Sequence, residues 1–140
     1  MARNTELVME TKRYLLDTCI LVNLLRGKAE DQQRVQQLGW KKCFTASFCI
    51  SELYVGAFKS GVQRDFRLIE WLTTRITVLP FDNSALTYGK IRAMLEQQGT
   101  RLSDMDLLIA SIALDNNLIL VTSNLKHFSR IPGLKIEVWE

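Results

Sequence analysis

The stretch that most constrains this chain is YLLDTCI, residues 14–20. Tyr14, Leu15 and Leu16 form an apolar run too short for a helix and read as a buried strand. Asp17 and Thr18 follow, and then the helical spacing Ile20, Leu21, Leu24, Leu25, stopped by Gly27. A strand that closes on Asp-Thr and passes directly into a helix opens a βα unit. In open parallel α/β sheets the ligand crevice lies outside the carboxyl ends of the strands, so Asp17 is the first candidate site residue. The same acid, or Thr18, also suits the cap of the following helix.

The rest of the chain supplies further units of this kind. Residues 30–38, with Val35 and Leu38 on one face, read as a surface helix ending at Gly39. Residues 43–47, CFTAS, read as a strand leading into a helix over 48–58, FCISELYVGAF, with Ser47 as its N-cap. Cys49, Glu52, Leu53 and Gly56 fall on one face of that helix. A carboxylate in an apolar stripe is costly without a partner, so Glu52 either meets a cation or sits on a rim. Residues 59–75 read as one amphipathic helix, with Arg64 and Arg67 on its polar side. A strand over 76–79 ends at Pro80. A helix then starts near Asp82 or Ser84, carries Lys90 and Arg92, and stops at Gly99.

In RLSDMDLLIASIAL, residues 101–114, Ser103 with Asp106 three positions on resembles a capping box, and Asp104 also favours the positive end of the helix. Asp106 shares its face with Ile109, Ala110 and Ala113 on a helix that is apolar nearly all round, which places Asp106 at the mouth of the core. LILVT, residues 118–122, reads as a central parallel strand ending in Ser123 and Asn124. One helical turn over 125–128 and an edge strand over 135–138 complete the chain. His127, the single histidine, could serve as a proton carrier, but beside Phe128 it reads more readily as a structural residue.

A length of 140 residues suits one domain: a polar extension over residues 1–11 and a folded unit over 12–140. A hydrophobic content of 47% excludes a disordered chain. The net charge of +3 permits phosphate binding without demanding it. Cys19, Cys43 and Cys49 form no C-x-x-C pair, which argues against a disulfide framework or zinc and fits a reducing cytoplasm. No signal-peptide core or membrane-length apolar run is present, and no GxxxxGK[ST] sequence, so an exported protein, a membrane protein and a phosphate-loop NTPase are not expected.

Asp17, Glu52 and Asp106 fall at corresponding ends of three units, with Asn124 at a fourth, and a parallel topology makes them converge. Two unit charges about 5 Å apart repel by roughly 3 kcal/mol at an effective dielectric near 20, so three carboxylates together call for protonation or a cation. Oxygen donors without His or Cys point to Mg²⁺ or Mn²⁺. Such an ion beside basic helices suggests phosphate ester chemistry. Two other classes stay open. One is a Mg²⁺-dependent phosphohydrolase with Asp17 as nucleophile, although its usual second Asp is here Cys19; the other is a non-catalytic RNA-binding regulatory module.

Taken in order and at these separations, YLLDTCILVNLLRG, ISELYVGA, RLSDMDLLIASIAL and VTSNLKHF resemble the PIN-domain ribonucleases of the VapC toxin type over nearly the whole chain from Lys12 onward. The resemblance implies an α/β fold, a single three-layer α/β/α domain with a mostly parallel central sheet of about four to five strands. It implies that Asp17, Glu52 and Asp106 are the acidic metal-binding residues and that Asn124 takes the fourth position. Thr18, Thr122 and Ser123 fall beside the site, and Asp104 is an extra acid there. It further implies Mg²⁺-dependent cleavage of RNA to 5′-phosphate and 3′-hydroxyl ends, a homodimer, and silencing by a VapB-like antitoxin. Arg64, Arg67, Lys90, Arg92 and Lys126 are the candidate RNA backbone contacts.

Overall fold

The five strands β1 (Tyr14–Leu16), β2 (Cys43–Ala46), β3 (Thr77–Leu79), β4 (Ile119–Thr122) and β5 (Ile136–Val138) form one sheet in the order β3-β2-β1-β4-β5. Every pairing is parallel. This computed structural model describes residues 12–139; the extension expected over residues 1–11 lies outside them. Seven helices connect the strands: α1 (Thr18–Leu25), α2 (Ala29–Leu38), α3 (Ser47–Ser60), α4 (Gln63–Arg75), α5 (Ala85–Gln97), α6 (Asp104–Asp115) and α7 (Leu125–Phe128).

The chain steps from β1 to β2 to β3 in one direction, then returns past β1 to β4 and β5. Because crossovers between parallel strands are right-handed, that reversal puts α1 to α4 on one face of the sheet and α5 to α7 on the other. The packing agrees: α1 touches α2 and α3, α3 touches α4, and on the opposite side α5 touches α6 and α6 touches α7. The expected three-layer α/β/α architecture results. Its direction reverses between β1 and β4, and the carboxyl ends of those two strands are therefore where a crevice opens.

The core follows from the strand sequences. Leu15, Leu16, Leu120 and Val121 are covered on both faces and completely buried, as continuous apolar runs in a parallel sheet should be. In α6, Leu107, Ile109, Ala110, Ser111, Ile112 and Ala113 are all buried. The Ser111 hydroxyl avoids a desolvation cost by donating to the Leu107 carbonyl at 2.7 Å.

Local boundaries differ from expectation in three places. Residues 59–75 are not one helix: Gly61 adopts φ +67° and donates to the Ala57 carbonyl at 2.9 Å, which closes α3 at Ser60 before α4 starts at Gln63. Glycine takes this left-handed cap without steric cost. Ser47 is not the N-cap of α3; pairing of Ala46 with Leu79 extends β2 up to the helix, so Ala46 holds the cap position and Ser47 is already helical. Helix α2 is more than a surface helix, since Asp31 within it is completely buried and accepts from Asn23 Nδ2 at 3.0 Å. No helix among the described residues is long and apolar enough to cross a membrane.

Candidate active site

Asp17 is the first residue past β1. Its backbone N–H donates to the Val121 carbonyl at 2.9 Å, extending the β1–β4 ladder, and its extended backbone then hands over to α1. Each carboxylate oxygen has its own donor. Oδ1 accepts from the Thr18 N–H at 2.8 Å, the capping role, and Oδ2 accepts from Thr122 Oγ1 at 2.8 Å, a bond between the ends of the two central strands. The acid is thus both cap and site residue. Burial pushes its pKa up, the bonds from Thr122 and Thr18 partly offset this, and the charge of Asp106 pushes it up further.

Around this carboxylate the supports interlock. Thr122, fully buried, accepts the Asn124 N–H on Oγ1 at 3.1 Å and so orients the turn after β4. Cys19 Sγ lies 3.7 Å from Asp17 Oδ2 and receives the Ser123 hydroxyl at 3.3 Å. Asp106 sits in the first turn of α6, where its N–H donates to Ser103 Oγ at 3.1 Å in the expected cap. Its side chain is only 18% exposed, and its Oδ2 stands 3.3 Å from His127 Nδ1.

Asp17, Thr18, Glu52, Asp106 and Asn124 line one open cleft of about 360 Å³, together with Cys19, Ser103 and His127. Sequence positions 17, 52, 106 and 124 are brought together as the parallel topology requires. Glu52 sits on the cleft rim: the residue is exposed, while Cys49 and Leu53 beside it on α3 are buried. Thr122 and Ser123 reach the cleft through Asp17 and Cys19.

Asp104 is not among the residues lining the cleft. It is 73% exposed and faces α5, accepting from the Tyr88 hydroxyl at 3.2 Å with Arg92 Nη1 at 3.5 Å. Two residues apart on a helix is about 200° of rotation, so Asp104 and Asp106 cannot serve the same face. Arg92 is correspondingly occupied, donating to Glu96 at 3.0 Å and to the Tyr88 hydroxyl at 3.0 Å. Arg64, Arg67, Lys90 and Lys126 are exposed on α4, α5 and α7, and none of them lines the cleft. Lys126 stands nearest in sequence, between cleft residues Asn124 and His127. His127, read from the sequence as a structural residue more readily than as a proton carrier, lines the cleft. The signal was its neighbour: Phe128 is completely buried, and in a one-turn helix an anchored Phe128 turns the preceding residue outward.

The donor set suits a hard divalent cation. Three carboxylates and an amide offer oxygen ligands beside Cys19 and His127, and the upward push on Asp17 from burial and from Asp106 is a charge cost that a proton or a cation would offset. As the side chains stand, no three His, Cys, Asp or Glu among the described residues are gathered closely enough to hold an ion. The fit is therefore one of donor chemistry and placement.

This fold is that of a PIN domain, and that family matches residues 14–134. Among relatives, the tRNA(fMet)-specific endonuclease VapC of Salmonella typhimurium is 34% identical over 129 residues, 91% of this chain and 98% of that protein. Ribonuclease VapC1 of Haemophilus influenzae is 38% identical over 130 residues, 90% and 97% of the two chains. The crystal structure of DNA-bound VapBC from Salmonella typhimurium superposes with a TM-score of 0.85 at 33% identity, covering 93% of this chain and 100% of that one. The chain belongs to the VapC ribonucleases of the PIN-domain family, endonucleases that act as the toxins of toxin–antitoxin pairs.

Proposed function

We propose that RNA cleavage by this chain takes place in the Asp17–Glu52–Asp106 cleft and depends on Mg²⁺ or Mn²⁺. The observation that carries this reading is that Asp17, Glu52 and Asp106 line one cleft, with Asp17 buried at the β1–β4 switch point and its carboxyl pushed up by burial and by Asp106. A bound divalent ion would supply a nucleophilic water at neutral pH and offset charge on the phosphoryl oxygens. Asp17 and Asp106 would hold that ion, with Glu52 reaching it from the rim, and the Asn124 amide would orient the phosphodiester. Water adds to phosphorus and the 3′-oxygen departs with a proton, which leaves a 5′-phosphate and a 3′-hydroxyl.

The partners follow from the family. A VapB-like antitoxin silences the enzyme, as the VapBC assembly of the Salmonella relative suggests, and two copies pair as a homodimer. The free thiols of Cys19, Cys43 and Cys49 suit a cytoplasmic enzyme.

The test is cleavage of purified RNA, beginning with tRNA(fMet), the substrate named for the Salmonella relative. Cutting is expected with Mg²⁺ or Mn²⁺, to stop on chelation, and to be lost in Asp17→Asn and Asp106→Asn with the fold intact. Unchanged turnover in either folded variant would overturn the assignment.

A further inference from the structure

We infer that His127 is a positioning residue: through Nδ1 it holds the carboxylate of Asp106 in the orientation that receives the divalent ion. The inference rests on the proposed metal-dependent reading of the cleft.

His127 occupies a site built for it. Phe128, completely buried, pins the one-turn helix α7, and the His127 N–H donates to the Asn124 carbonyl at 3.1 Å, so the imidazole emerges from a fixed backbone. Its ring is 56% exposed, lines the cleft with Asp17, Glu52 and Asn124, and places Nδ1 3.3 Å from Asp106 Oδ2. Asp106 has no other side-chain partner among the described residues; its Ser103 contact is made by its backbone N–H. Asp17, by contrast, has a donor on each oxygen. Among the described residues the imidazole is thus the one side chain placed to limit rotation of the Asp106 carboxylate, with Nδ1 standing beside Oδ2. A carboxylate only accepts, so His127 restrains Asp106 through an N–H on Nδ1. Outer partners of this kind change metal affinity by about 10–100-fold when removed.

Two isosteres separate this role from direct contact with RNA. The amide nitrogen of Asn falls where Nδ1 is, and that of Gln falls where Nε2 is. The measurement is Mn²⁺ binding to RNA-free protein by calorimetry, with wild type, His127→Ala, His127→Asn, His127→Gln and Asp106→Asn, each checked for unchanged metal-free melting. The expected result is an affinity about 10-fold weaker in His127→Ala, largely recovered in His127→Asn and not in His127→Gln, with RNA cleavage at limiting Mn²⁺ following the same order. Wild-type affinity in His127→Ala, or His127→Gln binding as well as His127→Asn, would overturn the role of His127 alone. No Mn²⁺ binding by wild type, or equal binding by Asp106→Asn, would overturn the metal reading of the cleft and this inference with it.

Discussion

Thr122 Oγ1 donates to Asp17 Oδ2 at 2.8 Å across 105 residues of chain, and both groups are buried. This bond fixes the first acid of the site to the end of the neighbouring central strand. The same hydroxyl accepts from the Asn124 N–H, so its loss leaves two polar groups short of a partner. Thr122→Val keeps the volume and is expected to destabilise the protein by about 1–3 kcal/mol, the usual cost of stranding buried hydrogen-bonding groups. RNA cleavage should fall by about 10-fold as Asp17 loses its orientation. Thr122→Ser, which retains the hydroxyl, should keep most of the activity. Urea unfolding and cleavage assays on the pair check this; equal activity of Val and Ser variants would refute it.

Asp17 also gives the metal-free protein a pH dependence. Its folded-state pKa is raised above the ordinary 3.8, first by burial. The folded state therefore holds this proton more tightly than the unfolded chain, and stability attributable to Asp17 is highest below the unfolded value and is lost as pH rises through the raised one. Asp17→Asn, which still caps α1, should melt above wild type at pH 7 without metal, with the gap closing as pH falls toward about 4. Saturating Mn²⁺ should reverse the order, since an ion at 100 times its Kd adds about 2.7 kcal/mol to the form that binds it. Calorimetric melting with and without Mn²⁺ decides; a variant less stable than wild type at pH 7 without metal would contradict the sign.

What local sequence conveys and what it conceals divide along contact range. Asp17 was legible because an apolar run, an acid and a helical repeat are adjacent, and Asp106 because its cap and its apolar face lie within one helix. The break at Gly61 was hidden because the amphipathic spacing of Phe66, Ile69 and Leu72 continues in phase with Val62, and only the left-handed backbone at Gly61 interrupts it. Asp31 stands in a polar stretch, and its burial comes from Asn23 on α1 and from Arg34, whose guanidinium lies over the Trp139 ring at the far end of the chain. His127 owes its place to Asp106, 21 positions earlier, and to the anchoring of Phe128.

Charge at the cleft is expected to come from Lys126 more than from Arg92. Arg92 is matched by Glu96 at 3.0 Å and Asp104 at 3.5 Å, so an approaching phosphate has to compete with two carboxylates for it. Lys126 is exposed between two cleft residues. Binding of a single-stranded RNA in chelator, where nothing is cut, should lose about 0.7 from the slope of log affinity against log salt in Lys126→Ala, the release of one counterion. Arg92→Ala should change that slope far less. The opposite ranking would move the RNA path toward α5.

Asp31 gives a prediction independent of catalysis. Its Oδ2 is satisfied by Asn23 at 3.0 Å, but Oδ1 has only Arg34 Nη1 at 3.5 Å, beyond good hydrogen-bonding distance. The Arg34 guanidinium in turn rests 5.5 Å from the ring centre of Trp139, itself buried. Removing one member of a buried ion pair typically costs about 3–5 kcal/mol because the other is left behind. Arg34 is 39% exposed and can turn to water, so Asp31→Ala is expected to cost less, about 2–3 kcal/mol. Replacing both partners, as Asp31→Leu with Arg34→Met, removes the stranded charge and should recover much of that loss. Urea unfolding of the single and double variants measures the difference, with cleavage per folded molecule unchanged in both. A double variant no more stable than Asp31→Ala would mean that Asp31 acts through Asn23 and the α1–α2 junction, not through Arg34.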